Sequence, residues 1–277
     1  MTPASDQLYI ELLKKTLSFT IYKPMPVPVE FFWSRRGKIK KRFLAPLFEK
    51  IFGMFGAKLC FPQNFTKQEV EEGRIWPYQA HTMIGMRRLN NLQACVETAI
   101  RDKIPGDFIE TGVWRGGACI FIRGLMAVYG VADRKVYVAD SFEGLPKPDA
   151  EKYPEDEGDT HYENDFLAVS QEQVEENFRR YGLLDDQVVF LKGWFKDTLP
   201  KLSARQFAVI RLDGDLYEST MDGLNNLYHK LSPGGFCIID DYFIEGCRKA
   251  VHDFREKHGV KEKIETIDGM GVYWRKV

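Results

Sequence analysis

From about residue 104 onward, short apolar runs alternate with longer amphipathic stretches. "GDFIETGV" (106–113), "KVYVADSF" (135–142), "QVVFLKGWF" (187–195), "FAVIRLDGD" (207–215) and "FCIIDDYF" (236–243) read as strands. Between them, "GGACIFIRGLMAVYGV" (116–131), "SQEQVEENFRRYG" (170–182), "ESTMDGLNNLYHKLSPGG" (218–235) and "GCRKAVHDFREKHG" (246–259) read as helices. Two short strands close the chain near "KIETID" and "GVYWRKV". Apolar strands separated by helices predict an α/β fold, a mostly parallel sheet covered on both faces. Ligands of such sheets bind at the carboxyl ends of the strands.

That rim is where the sequence turns acidic. Asp213 and Asp215 end one predicted strand, and Asp240 and Asp241 end another. Asp213 and Asp240 lie one strand–helix–strand step apart, so they top neighbouring strands. Crowded carboxylates without His or Cys suit a hard divalent cation, Mg²⁺ above all, because a dication favours their ionisation. N-caps or solvated strand ends account equally for Asp215 or Asp241 taken singly.

Upstream, "IETGVWRGG" (109–117) is a strand running into a turn that carries Glu110, Gly112, Gly116 and Gly117. Glycines there let a ligand approach the backbone. The turn departs from G-x-G-x-x-G, and an acid within it would repel a pyrophosphate. It suits an amino group or a sulfonium instead. The next strand ends at Asp140, placed to accept from two ribose hydroxyls. A nucleoside with a cationic tail, S-adenosylmethionine, satisfies both acids where a dinucleotide does not.

Composition narrows the setting. The chain has 277 residues, 44% of them hydrophobic, and a formal charge of −1, which gives no reason to expect nucleic acid as a partner. Five cysteines (Cys60, Cys95, Cys119, Cys237, Cys247) lack metal-site spacing and fit free thiols in a reducing compartment. With no signal-peptide pattern and no membrane-spanning run, the expectation is a cytoplasmic enzyme. The charge is unevenly spread. Residues 31–60 hold eight basic residues against Glu49, interleaved with Phe31, Phe32, Trp33, Phe43 and Phe48. This part reads either as a surface helix touching anionic membrane or a partner, or as a helix capping the domain. Residues 149–165 hold eight acids against Lys152, and with Pro146, Pro148 and Pro154 nearby they predict a mobile loop.

Taken together, "PGDFIETGVWRGG", "ADSFEGLP", "GWFKDTLP", "RLDGDLYEST" and "GGFCIIDDY" resemble the macrocin O-methyltransferase family over roughly residues 75–277. These are metal-dependent, S-adenosylmethionine-using enzymes that methylate sugar hydroxyls of antibiotics. The resemblance implies a class I methyltransferase domain with a Rossmann-like, seven-stranded sheet, preceded by a helical extension over 1–74. It implies Mg²⁺ on Asp213, Asp240 and Asp241, with Asp215 as general base. It places Glu110 and Gly112 at the methionine end of S-adenosylmethionine, Asp140 and Ser141 at its ribose, and Gly193, Trp194 and Phe195 at its adenine. The segment "AHTMIGMRRLNNL" (80–92) resembles the part that folds over the cofactor, bringing in Thr82 and Met83. Met83 reads equally as helix packing, and His81 reads as a surface or capping residue. Family members tend to be homo-oligomers, and the acceptor implied is a small glycoside.

A more distant resemblance, to catechol and caffeoyl-CoA methyltransferases, shares the strand-end Asp but has Asp-Asn where this chain has Asp240–Asp241. A phenolic acceptor is therefore the alternative. A dehydrogenase is disfavoured by the E-T-G turn, and a non-catalytic scaffold by the full set of carboxylates. The expected chemistry is methyl transfer to a vicinal diol bound to the metal, with the acidic segment 147–169 covering the acceptor.

Overall fold

The computed structural model describes residues 4–23, 25–28, 45–62, 64–202 and 205–277, the side chains of 45–49 apart. Six of the eight basic residues in the stretch read above lie outside the described residues. Seven strands form the main sheet: β1 (Asp107–Thr111), β2 (Val136–Asp140), β3 (Val188–Lys192), β4 (Phe207–Leu212), β5 (Leu231–Ile239), β6 (Glu265–Thr266) and β7 (Val272–Arg275). Their order is β3-β2-β1-β4-β5-β7-β6. The pairs from β3 to β5 are parallel, and β7 runs antiparallel to both β5 and β6. Strand order reverses between β1 and β4, which opens the switch-point crevice at their carboxyl ends.

Helices cover both faces. On one side pack α1 (Ser5–Leu17), α2 (Met86–Arg101), α3 (Gly117–Val128) and α4 (Gln171–Arg180), with Leu13, Leu92, Phe121 and Phe178 in a shared core with the strands. On the other pack α5 (Tyr217–Leu227) and α6 (Glu245–His258), around Ile210, Leu224, Phe254 and Trp274. The first helix of the chain is therefore continuous with the core. Ile10, Leu13 and Leu17 are buried, and a Cβ on Gly124 of α3 would stand 2.4 Å from Leu13. Among the described residues no helix is long and apolar enough to cross a membrane.

Two expectations change. The helix read over 218–235 stops at Leu227, followed by a 3₁₀ turn and then β5 from Leu231. Pro233 lacks the N–H for a ladder bond, so pairing with β4 jumps from Phe207↔Leu231 to Val209↔Phe236 across a bulge. The acidic segment, expected as a loop without structure of its own, carries short turns and specific bonds. It forms three 3₁₀ turns, and Asp156 is buried at their start. The Asp156 carboxylate accepts the backbone N–H groups of Tyr217 (2.6 Å) and Glu218 (3.1 Å), the opening residues of α5. The residue before α5 is Leu216, which offers no side-chain cap. A distant acid therefore does the capping, where helix-dipole charge favours an anion.

Replacing Asp156 by Ala should lower stability by about 0.5–2 kcal/mol, the usual cost of a lost helix cap. Urea unfolding measures that loss, and limited proteolysis should cut near residues 150–165 faster than in the parent protein.

Candidate active site

Register builds the site. Thr111 pairs with Leu212 and Leu212 with Ile239, so Gly112, Asp213 and Asp240 emerge side by side at the rim. Gly112 has φ +77°, and a Cβ there would lie 1.6 Å from the carbonyl oxygen of Asp213. Only glycine fits that contact. Beyond it Trp114 (φ +48°) and Asp215 (φ +55°) are both left-handed. Strain of that kind in non-glycine residues collects at functional sites.

A cavity opens over this rim. Its lining includes Thr82, Met83, Glu110, Gly112, Asp140, Ser141, Trp194 and Phe195, together with Asp213, Asp215, Asp240 and Asp241. The residues expected from sequence converge there, with Gly193 set back in the turn, where its N–H donates to the Asp140 carbonyl at 2.9 Å. Asp140 staples two turns: its carboxylate accepts from Val113 N–H at 2.7 Å and Phe142 N–H at 2.8 Å. Burial raises its pKa against those bonds. Glu110 is buried at the floor, bonded to Arg211 and accepting the Cys119 thiol at 2.9 Å. Burial pushes its pKa up to about 7, although Arg211 opposes the shift.

One oxygen each from Asp213, Asp215 and Asp241 lie within 4.8 Å of one another. Burial first, and then neighbouring carboxylates (Asp240 for Asp213, Asp213 for Asp215, Asp215 for Asp241), raise all three pKa values, that of Asp215 to about 7. Arg211 reaches only Asp213 of the three, at 2.8 Å, which leaves the set with an excess of negative charge, and an oxygen-liganded dication fits it. The expected metal trio was Asp213, Asp240 and Asp241. Here Asp240 stands beside that group, with one oxygen on Arg211 and the other on Arg88.

Both arginines were missed from sequence. Arg211 is 1% exposed and joins Glu110, Asp213 (2.8 Å) and Asp240. Its signal was legible, since an arginine inside an apolar strand must have buried partners. Arg88, at a buried position of α2, donates to the Gly73 carbonyl at 3.2 Å and faces Asp268 at 3.3 Å. Nothing in the sequence pattern singled it out. His81 also departs from expectation, since it is half-buried and its Nδ1 meets the Tyr181 hydroxyl at 2.7 Å.

Comparison with known proteins agrees with this architecture. The family model described as Macrocin-O-methyltransferase (TylF) matches residues 6–276. The chain belongs to the macrocin O-methyltransferase family. It is an O-methyltransferase of the class I fold. The methyltransferase is 49% identical, over 99% of its own length and 95% of the relative's, to the 8-demethyl-8-(2,3-dimethoxy-alpha-L-rhamnosyl)-tetracenomycin-C 4'-O-methyltransferase of Streptomyces olivaceus. It is 48% identical to the Mycinamicin III 3''-O-methyltransferase of Micromonospora griseorubida, over 100% and 99% of the two chains. The solved structure of the O-methyltransferase NovP superposes with a TM-score of 0.83 at 43% identity, covering 99% of this chain and 100% of that one.

Two outcomes test the electrostatics. Arg211→Leu leaves Glu110, Asp213 and Asp240 short of a cation, and should cost about 3–5 kcal/mol in urea unfolding, as other broken buried pairs do. For His81, burial first and then Arg115 and Arg180 hold the pKa at about 4, against an ordinary 6.5. Below pH 6.5 the unfolded chain thus takes up a proton that the folded chain refuses until about pH 4. Stability should fall across that window, and His81→Gln should flatten the fall; an unchanged slope would place the titration on another group.

Proposed function

We propose that this methyltransferase moves a methyl group from S-adenosylmethionine to a sugar hydroxyl of a glycosylated natural product, with Mg²⁺ at the rim. The observation that carries this reading is the cluster of Asp213, Asp215 and Asp241 facing the same cavity as the acids suited to the donor. Full-length relatives named for a rhamnosyl tetracenomycin and for mycinamicin III support a sugar acceptor.

Glu110 and the Gly112 turn hold the cationic methionine end, and Asp140 with Ser141 receives the ribose. Trp194 and Phe195 flank the adenine, with Gly193 shaping their turn, while Thr82 and Met83 close over the donor. Asp213 and Asp241 are the ligands that geometry and sequence pattern share. Each Asp240 oxygen accepts from an arginine and keeps a further lone pair, so Asp240 can still share in holding the ion. When bound, a dication supplies Lewis-acid polarisation that lowers the pKa of an alcohol oxygen. Asp215 accepts the proton of the acceptor hydroxyl as general base. The fixed rim aligns the acceptor oxygen with the methyl carbon, which supplies the orientation that in-line displacement needs. Five free cysteines, four of them buried, fit a reducing cytoplasm.

Chelation by EDTA should abolish methyl transfer to mycinamicin III and Mg²⁺ should restore it; undiminished turnover would refute the metal assignment. Asp213→Asn and Asp241→Asn should weaken Mg²⁺ binding at least about tenfold by calorimetry. Asp240→Asn separates a ligand from a support, since an equal loss of Mg²⁺ binding would make Asp240 a ligand. Asp215→Asn should lower kcat by about 10²–10⁴-fold, the range for a lost general base, while S-adenosylhomocysteine still binds.

A further inference from the structure

His161 lies on the acidic segment and lines the same cavity as Asp215. The mechanism above leaves it without a task. Its position is unusually well defined for a residue in an irregular stretch. Asp159 binds it twice, with Oδ1 accepting the His161 backbone N–H at 2.8 Å and Oδ2 meeting Nδ1 at 2.7 Å. Asp159 is tied in turn to the Asp156 carbonyl at 3.2 Å, and Asp156 caps α5 two residues beyond Asp215. The imidazole is therefore indexed to the proposed base through a short chain of hydrogen bonds. The imidazole shares the cavity with Asp213, Asp215 and Asp241, the carboxylates proposed to act on the acceptor.

Fixing Nδ1 leaves Nε2 as the ring's other polar atom, and among the described residues it makes no hydrogen bond. The Trp76 ring lies beside the imidazole, 6.2 Å between centroids, and also lines the cavity. A ring nitrogen with an aromatic plane next to it suits a pyranose, which presents hydroxyls at its edge and C–H bonds on its face. A hydroxyl both donates and accepts, so it matches Nε2 in either protonation state of the ring. Because Asp159 has already ordered the side chain, binding costs little rotamer freedom.

We propose that His161, held by Asp159, is a specificity-determining residue whose Nε2 hydrogen-bonds a second hydroxyl of the acceptor sugar, beside the one that is methylated. The assignment rests on the sugar reading and extends it by naming a contact on the acceptor.

The test is steady-state kinetics with mycinamicin III and with the rhamnosyl tetracenomycin as acceptors, alongside a catechol. His161→Ala should raise the acceptor KM about tenfold or more, with the KM for S-adenosylmethionine and the Tm nearly unchanged. His161→Gln, which keeps a polar atom near the Nε2 position, should recover part of that loss, and Asp159→Asn should fall between. An unchanged acceptor KM in His161→Ala, or a rise matched by the KM for S-adenosylmethionine, overturns the assignment and leaves the sugar reading standing. A wild-type enzyme that methylates the catechol and neither glycoside overturns both.

Discussion

The guanidinium of Arg211 organises the rim. It is buried at the end of a central strand and joins acids from three of them: Glu110 after β1 has nearly ended, Asp213 after β4, and Asp240 after β5. A charge so placed is tolerable only with its partners, and its partners are tolerable only with it. Arg88 adds a second cation from α2, bonded to Asp240 and facing Asp268. Two guanidiniums do not neutralise the rim, because among the described residues no arginine or lysine is ion-paired with Asp215 or Asp241, and that surplus lines the cavity. The fold is thus built with negative charge reserved for what enters, which suits a sulfonium on one side and a dication on the other.

Much of this was readable in the residues. The alternation of apolar runs and amphipathic stretches implied the sheet, and Glu110, Asp140, Asp213 and Asp240 stood at strand ends because strands of that composition stop there. What periodicity could not convey was pairing across the fold. Arg88 looked like any helical arginine, and its partner lies 152 positions away. His81 looked exposed until Tyr181 arrived from a distant helix. The helix over 218–235 was overextended because "LYHKL" keeps helical spacing into a bulge that only the register with β4 reveals.

The acidic segment makes more specific contacts than its composition implied. Its charge and prolines argued for motion, since such stretches bury too little apolar surface to fold alone. It does not fold alone. Asp156 completes the start of α5, and Phe166 accepts the Trp114 indole N–H at 2.9 Å while its ring lies 5.2 Å from the indole. Asp159 binds the backbone and ring of His161. Composition counts such acids as solvated; position turns several of them into acceptors for particular N–H groups.

The contact of Gly112 with the Asp213 carbonyl has a consequence for how such an enzyme diversifies. The donor turn and the strand end bearing the acids touch backbone to backbone, so neither shifts without dragging the other. Alteration there is penalised twice, in donor grip and in chemistry. The 157–167 stretch carries no such double duty: Asp156, Trp114 and the Asp159–His161 bonds hold it, and none of these touches the donor turn's backbone contact with Asp213. New acceptors should therefore be won by rewriting that short span, over an unaltered floor.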